Sequence, residues 1–172
     1  MKYTEINGDL IELAKKGNFD VIAHGCNCLS RMGAGIAVGM AKTFRCNEFY
    51  KELDGPDINK LGNIDFRCYV LGSNAMWWIE DANNSGNEPE LYVVNAYTQY
   101  MYGKNHKDGI SVPVDYEAIT LCMRKINFVF KGLHIGLPKI GAGLAGGNWE
   151  KIKNIIKTEL SDCSITIVIY NK

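Results

Sequence analysis

Short apolar runs alternate with amphipathic stretches along this chain. Phe19 to His24 (FDVIAH) is an apolar run ending at Gly25, which predicts a buried strand. Ile64 to Leu71 and Leu91 to Tyr97 are rich in β-branched and aromatic residues and predict two more. His134 to Pro138 and Ser164 to Tyr170 predict the last two. Between them the period changes. Ile36, Met40 and Phe44 follow Gly35 at helical spacing. Ile119, Cys122, Met123, Ile126, Val129 and Phe130 recur at intervals of three and four, with Glu117, Arg124, Lys125 and Lys131 on other faces. Asp115 and Tyr116 start that helix. Asn148 is positioned to cap a final helix burying Trp149, Ile152, Ile156 and Leu160. Two polar, glycine-bearing stretches, 81–90 and 100–109, read as surface loops, the second as a mobile one.

This alternation implies an α/β fold, with a largely parallel sheet and helices on both faces. A length of 172 residues, with no repeat and no long linker, fits a single domain. In such sheets ligands settle beyond the carboxyl ends of the strands. Both glycine-rich segments of this chain directly follow predicted strands, so that edge is the place to seek a site.

Composition narrows the partners. Basic and acidic residues balance at 19 each, which argues against a broad nucleic-acid footprint. The longest apolar run, Ser164 to Tyr170, is too short to span a bilayer, and no signal-peptide pattern opens the chain. A cytoplasmic monomer without membrane partners is expected. Of the six cysteines only Cys26 and Cys28 are close, and no second pair completes a zinc site. Reduced, partly buried thiols are expected, with no metal and no cofactor.

Two segments carry the candidate chemistry. In Ala23 to Gly39 (AHGCNCLSRMGAGIAVG), Gly33 and Gly35 flank Ala34 where a helix begins, so backbone N–H groups can approach an anion unobstructed. The third glycine falls at Gly39, which departs from the dinucleotide fingerprint, and no Gly-Lys-Ser/Thr follows. Alone, this segment is also consistent with a tight strand-to-helix turn. The second, Pro138 to Trp149 (PKIGAGLAGGNW), places four glycines between a strand and a capped helix. Two such loops at one sheet end can clamp a diphosphate from both sides.

IGAGLAGGNW after a strand, RMGAGIAVG opening a helix and NGDL near the N-terminus together resemble the macro domain family. The resemblance runs from about Tyr3 to Tyr170. RMGAGIAV is especially similar to the subclass containing the terminal ADP-ribose protein glycohydrolase. AHGCNC followed by GAGIA resembles the ADP-ribose-1''-phosphate phosphatases of yeast and phages. The resemblance implies a three-layer α/β/α fold around a mixed, mostly parallel six-stranded sheet. It also implies ADP-ribose or a derivative as ligand, with an ADP-ribosylated macromolecule as a further partner. By position, Asp9 would accept from the adenine amino group with Leu10 close by, and Asn27 would bond the distal ribose. Gly33, Ala34, Gly35 and Ile36 would face the diphosphate from one side. Gly141, Ala142, Gly143, Leu144 and Ala145 would wrap it from the other, and Tyr170 would pack on adenine. Plainer roles stand beside these: a helix cap for Asp9, a core aromatic for Tyr170, a turn residue for Asn27.

The glycohydrolase subclass uses a lysine and an aspartate where this chain has Asn95 and Ala145, so that mechanism does not transfer. Phosphate removal relies on positioning and charge stabilisation, for which the loop N–H groups qualify. His24 is the candidate acid or base, with Asn27 orienting the ribose; a buried, hydrogen-bonded histidine is the alternative. The function classes left open are an ADP-ribose-1''-phosphate phosphatase, a non-catalytic ADP-ribose reader, and a hydrolase of O-acetyl-ADP-ribose or of ADP-ribosylated protein or nucleic acid.

Overall fold

In the computed structural model, residues 2–48, 55–71, 76–79, 90–103 and 112–171 are described. Residues 81–89 and 104–109 of the two expected surface loops, His106 among them, lie outside the described residues. The chain runs β1 (Tyr3–Asn7), α1 (Leu10–Lys15), β2 (Val21–Asn27), α2 (Ile36–Phe44), β3 (Ile64–Leu71), β4 (Met76–Ile79), β5 (Leu91–Gln99), α3 (Tyr116–Val129), β6 (His134–Leu137), α4 (Trp149–Glu159) and β7 (Ser164–Ile169). The sheet order is β1-β7-β6-β2-β5-β3-β4. The first five strands in that order are parallel. Only β3 runs opposite to the other six strands, pairing antiparallel with β5 and β4. The mixed, mostly parallel sheet is as expected, with β4 as an extra strand beyond six.

Strand β1 escapes the sequence pattern because its residues stay partly or fully exposed, so no apolar run marks it. The parallel strands show instead the apolar runs of a sheet covered on both faces. On one face α3 and α4 bury Ile119, Met123, Ile126, Ile152 and Ile156 against Val21, Ala23, Val94, Ile135 and Ile165. On the other, Leu10, Ala14, Met40 and Phe44 pack over Ile22, Val93 and Val168. The expected inward stripe of α3 holds except at Val129, which is 45% exposed. Its neighbour Phe130, the C-cap residue, turns inward as expected and packs against Phe66 and Tyr92 at 5.0 and 5.2 Å between ring centres. Asp115 and Asn148 cap α3 and α4, accepting from Ala118 N and Lys151 N at 2.9 and 3.0 Å.

A polar chain crosses the α2 side of the sheet. Asn95 Nδ2 donates to Cys46 O at 3.0 Å and to Asp65 Oδ1 at 2.9 Å. Its Oδ1 therefore accepts, and His24 Nε2–H donates to it at 2.8 Å. Tyr97 donates its hydroxyl proton to Asp65 Oδ2. His24 is fully buried, with the Cys26 and Cys46 sulfurs 3.7 and 3.6 Å from Nε2. Burial without a carboxylate partner pushes its pKa down to about 4, against a smaller upward effect of the Asn95 bond. Burial likewise raises the Asp65 carboxyl and pushes the Cys46 thiol up to about 12.

These shifts set an acid response. Unfolded His24 takes up a proton near its ordinary 6.5, and the folded imidazole only near 4. Stability is then lost as pH falls between those values, by up to about 1.4 kcal/mol per pH unit. The raised Asp65 acts in the opposite sense, so wild type must be set against His24→Gln. Denaturant melts from pH 7 to 4 are expected to show a steeper loss in wild type than in His24→Gln. Parallel curves would mean that the imidazole is not held neutral.

Candidate functional site

The parallel strands deliver their carboxyl ends, Asn27, Gln99 and Leu137, to one edge of the sheet. There a cleft of about 510 Å³ opens. That lies within the roughly 300–1,000 Å³ typical of small-ligand sites. One wall is the loop from Asn27 to Ile36, the other the loop from Pro138 to Ala145.

The first wall is shaped by Asn27. Its Oδ1 accepts from Leu29 N and Arg31 N at 3.1 and 3.3 Å, and its Nδ2 donates to Arg31 O at 2.8 Å. This amide holds the loop in place. The loop ends at Gly35, the N-cap of α2, with φ 60° and ψ −147°. That conformation is essentially restricted to glycine. No side chain caps α2 and no acid sits in its first turn, so its leading N–H groups and positive dipole end face the cleft.

In the second wall, turn bonds use the N–H groups of Ile140, Ala142, Gly146 and Gly147, at 2.7–3.1 Å. Among the described residues, those of Gly143, Leu144 and Ala145 take no part in them. Gly147 has no room for a side chain, since a Cβ there would stand 2.7 Å from Gly141 O. Leu144 is 77% exposed and reaches across the cleft: a Cβ on Gly35 would meet its Cδ1 at 3.4 Å. The two loops therefore face one another at side-chain contact distance.

The charge of the cleft is one-sided. Its lining includes the cations Arg31 and Lys139, and no carboxylate or imidazole among the described residues. Arg31 Nη1 donates to the Tyr102 hydroxyl at 3.0 Å across one end. Lys139 Nζ lies 5.8 Å from the centre of the Trp149 ring. The Cys26 thiol is buried and its pKa raised, chiefly by burial, so it is no thiolate nucleophile.

Gly33, Ala34, Gly35, Ile36, Asn27, Gly141, Gly143, Leu144 and Ala145 all line the cleft. Ala142 does not; it belongs to the turn behind them and packs against the α3–α4 core. His24, the expected acid or base, also does not line the cleft and is fully buried. Residues 22, 24 and 26 of β2 point to the α2 face, so His24 enters the core beneath the site. Asp9 and Tyr170 lie outside the cleft but are brought together, because β1 and β7 pair in parallel and Asn7 registers with Ile169. Asp9 caps α1 through Oδ1, which accepts from Ile11 N and Glu12 N, and Oδ2 takes no part in the cap. Tyr170 is 65% exposed rather than a core aromatic, whereas Leu10 is buried in the core.

Several lining residues were not anticipated: Arg31, Thr98, Gln99, Tyr102 and Lys139. Arg31 and Lys139 stand inside the two glycine segments, next to residues that drew attention for lacking side chains. Thr98, Gln99 and Tyr102 carry no local motif; the pairing of β5 with β2 brings them to the site.

No family model matches this chain. A 17.5 kDa protein of Enterobacteria phage T4, itself described as uncharacterised, is 32% identical over 95% of this chain and 93% of its own length. The ADP-ribose 1''-phosphate phosphatase of the yeast Meyerozyma guilliermondii is 28% identical over 91% of this chain and 93% of the relative. Among solved structures, a Bacteroides thetaiotaomicron protein of unknown function superposes with a TM-score of 0.71 at 25% identity, covering 98% of each chain. The macrodomain of Thermus aquaticus DarG superposes with a TM-score of 0.60 at 17% identity, covering 99% of this chain and 98% of that one. Whole-length likeness in sequence and fold thus joins the paired glycine loops at one sheet edge, and this chain has the macro domain fold.

Proposed function

We infer that this protein binds ADP-ribose and removes the phosphate from ADP-ribose-1''-phosphate. The observation that carries the reading is the cleft itself: two facing loops of glycine-freed N–H groups, two cations and no described acidic lining. Such a surface fits a diphosphate, which anion-binding helix ends and loop concavities recognise. The likeness to a yeast phosphatase over 91% of the chain supports the specific reaction.

In this reading the diphosphate lies between Gly33–Ile36 and Gly143–Ala145. Asp9 Oδ2 and Tyr170 receive adenine at the β1–β7 end, and Asn27, Gln99 and Tyr102 surround the distal ribose. Water attacks phosphorus, the bond from phosphorus to the ribose oxygen breaks, and inorganic phosphate leaves with ADP-ribose as the other product. Charge on the transferring group is met by backbone N–H groups and by Arg31, since His24 is buried beneath the cleft and held neutral. The lack of a carboxylate or imidazole among the described lining residues favours a second reading, that of a non-catalytic reader of ADP-ribose or an ADP-ribosylated macromolecule.

Phosphate release from ADP-ribose-1''-phosphate separates the two. Release is expected from wild type and from folded His24→Gln alike, and about a hundredfold less from Arg31→Ala. Binding of ADP-ribose without release would leave the reader; loss of release in folded His24→Gln would restore the imidazole to the mechanism. Gly35→Ala forces a strained backbone and is expected to weaken ADP-ribose binding about tenfold by calorimetry. Unchanged affinity there would mean that the α2 end does not hold the diphosphate.

A further inference from the structure

Thr98 lies at the floor of the cleft and the mechanism above does not use it. It is 1% exposed, and its hydroxyl is the buried side-chain polar atom, among the described residues, that makes no hydrogen bond. Such a group ordinarily finds a partner, because burying it unpaired is destabilising. Here two further features isolate it. Cys26 registers with Tyr97 and Asn27 with Gln99, so Thr98 is the extra residue of a bulge between β2 and β5. Bulges next to active sites re-aim a side chain.

Beside it stands Gly25, also part of the cleft lining. A Cβ on Gly25 would lie 2.8 Å from Thr98 Oγ1 and 3.3 Å from Ile140 Cγ1. A larger residue at Gly25 would therefore cover the hydroxyl. With glycine there, no Cβ covers the Thr98 hydroxyl from the Gly25 side, at the floor of the cleft beside Asn27 and Gln99.

We propose that Thr98 is a ligand-positioning residue whose hydroxyl bonds a hydroxyl group of the distal ribose. This rests on the ADP-ribose reading of the cleft. The unpaired hydroxyl lowers the stability of the free protein and gains its partner when the ligand arrives. A residue with a merely structural role would not combine these two effects, because its loss would not make the fold more stable.

The test compares wild type, Thr98→Val and Thr98→Ser in thermal melts and in titrations with ADP-ribose and with ADP, which lacks the distal ribose. Thr98→Val keeps the shape and removes the hydroxyl; it is expected to melt about 2–4 °C higher than wild type. Its ADP-ribose affinity should fall about five- to tenfold with ADP affinity unchanged, and Thr98→Ser should bind like wild type. A lower melting point in Thr98→Val would show that the hydroxyl has a partner in the free protein, and overturns the proposal. Equal ADP-ribose affinity, or an equal loss for ADP, overturns it too while leaving the cleft reading intact. Failure of wild type to bind ADP-ribose overturns both.

Discussion

Everything at the site depends on the parallel pairing of β2 with β5 on one side and β6 on the other. Parallel neighbours release their chains at the same edge, so the loops after β2 and β6 must leave side by side. Had β6 run the other way, the second glycine loop would sit at the far end of the sheet. Parallel strands need crossover helices; α1, α3 and α4 make those connections, and with α2 they bury both faces of the sheet. The core and the cleft thus arise from one constraint.

Glycine acts at this edge in two distinct ways. At Gly35 it permits a backbone conformation that turns the N–H groups of α2 toward the cleft. At Gly25 and Gly147 it removes a Cβ that would collide with Thr98 or with the Gly141 carbonyl. The first use shapes a donor array and the second leaves space for close approach. Neither depends on a titratable side chain. His24, Asp65 and Cys46 lie on the α2 face of the sheet in a network centred on Asn95. That network braces β2, β3 and β5 against the segment after α2.

Much of this was legible in the sequence, for identifiable reasons. Apolar runs report buried parallel strands, and helical spacing reports α3 and α4, because burial on defined faces leaves a periodic trace. The glycine segments were legible as loops at one sheet edge once strands were placed before them. His24 shows where such reading stops. Its position beside a Gly-Cys-Asn turn looks catalytic, but side chains alternate across a strand, and one residue decides between cleft and core. Thr98 was illegible for a related reason: a bulge changes the register locally, and no single segment encodes it. Val129 departs from its expected inward place at a helix end, where periodicity no longer dictates which side chain turns inward.

The central claim is that backbone amides of both loops grip one diphosphate. Amide-resolved nuclear magnetic resonance of the labelled protein during titration with ADP-ribose addresses it directly. The account expects the largest shifts at Gly33–Ile36 and Gly143–Ala145 together, saturating with a single affinity. Shifts confined to one loop, or centred away from both, would contradict it.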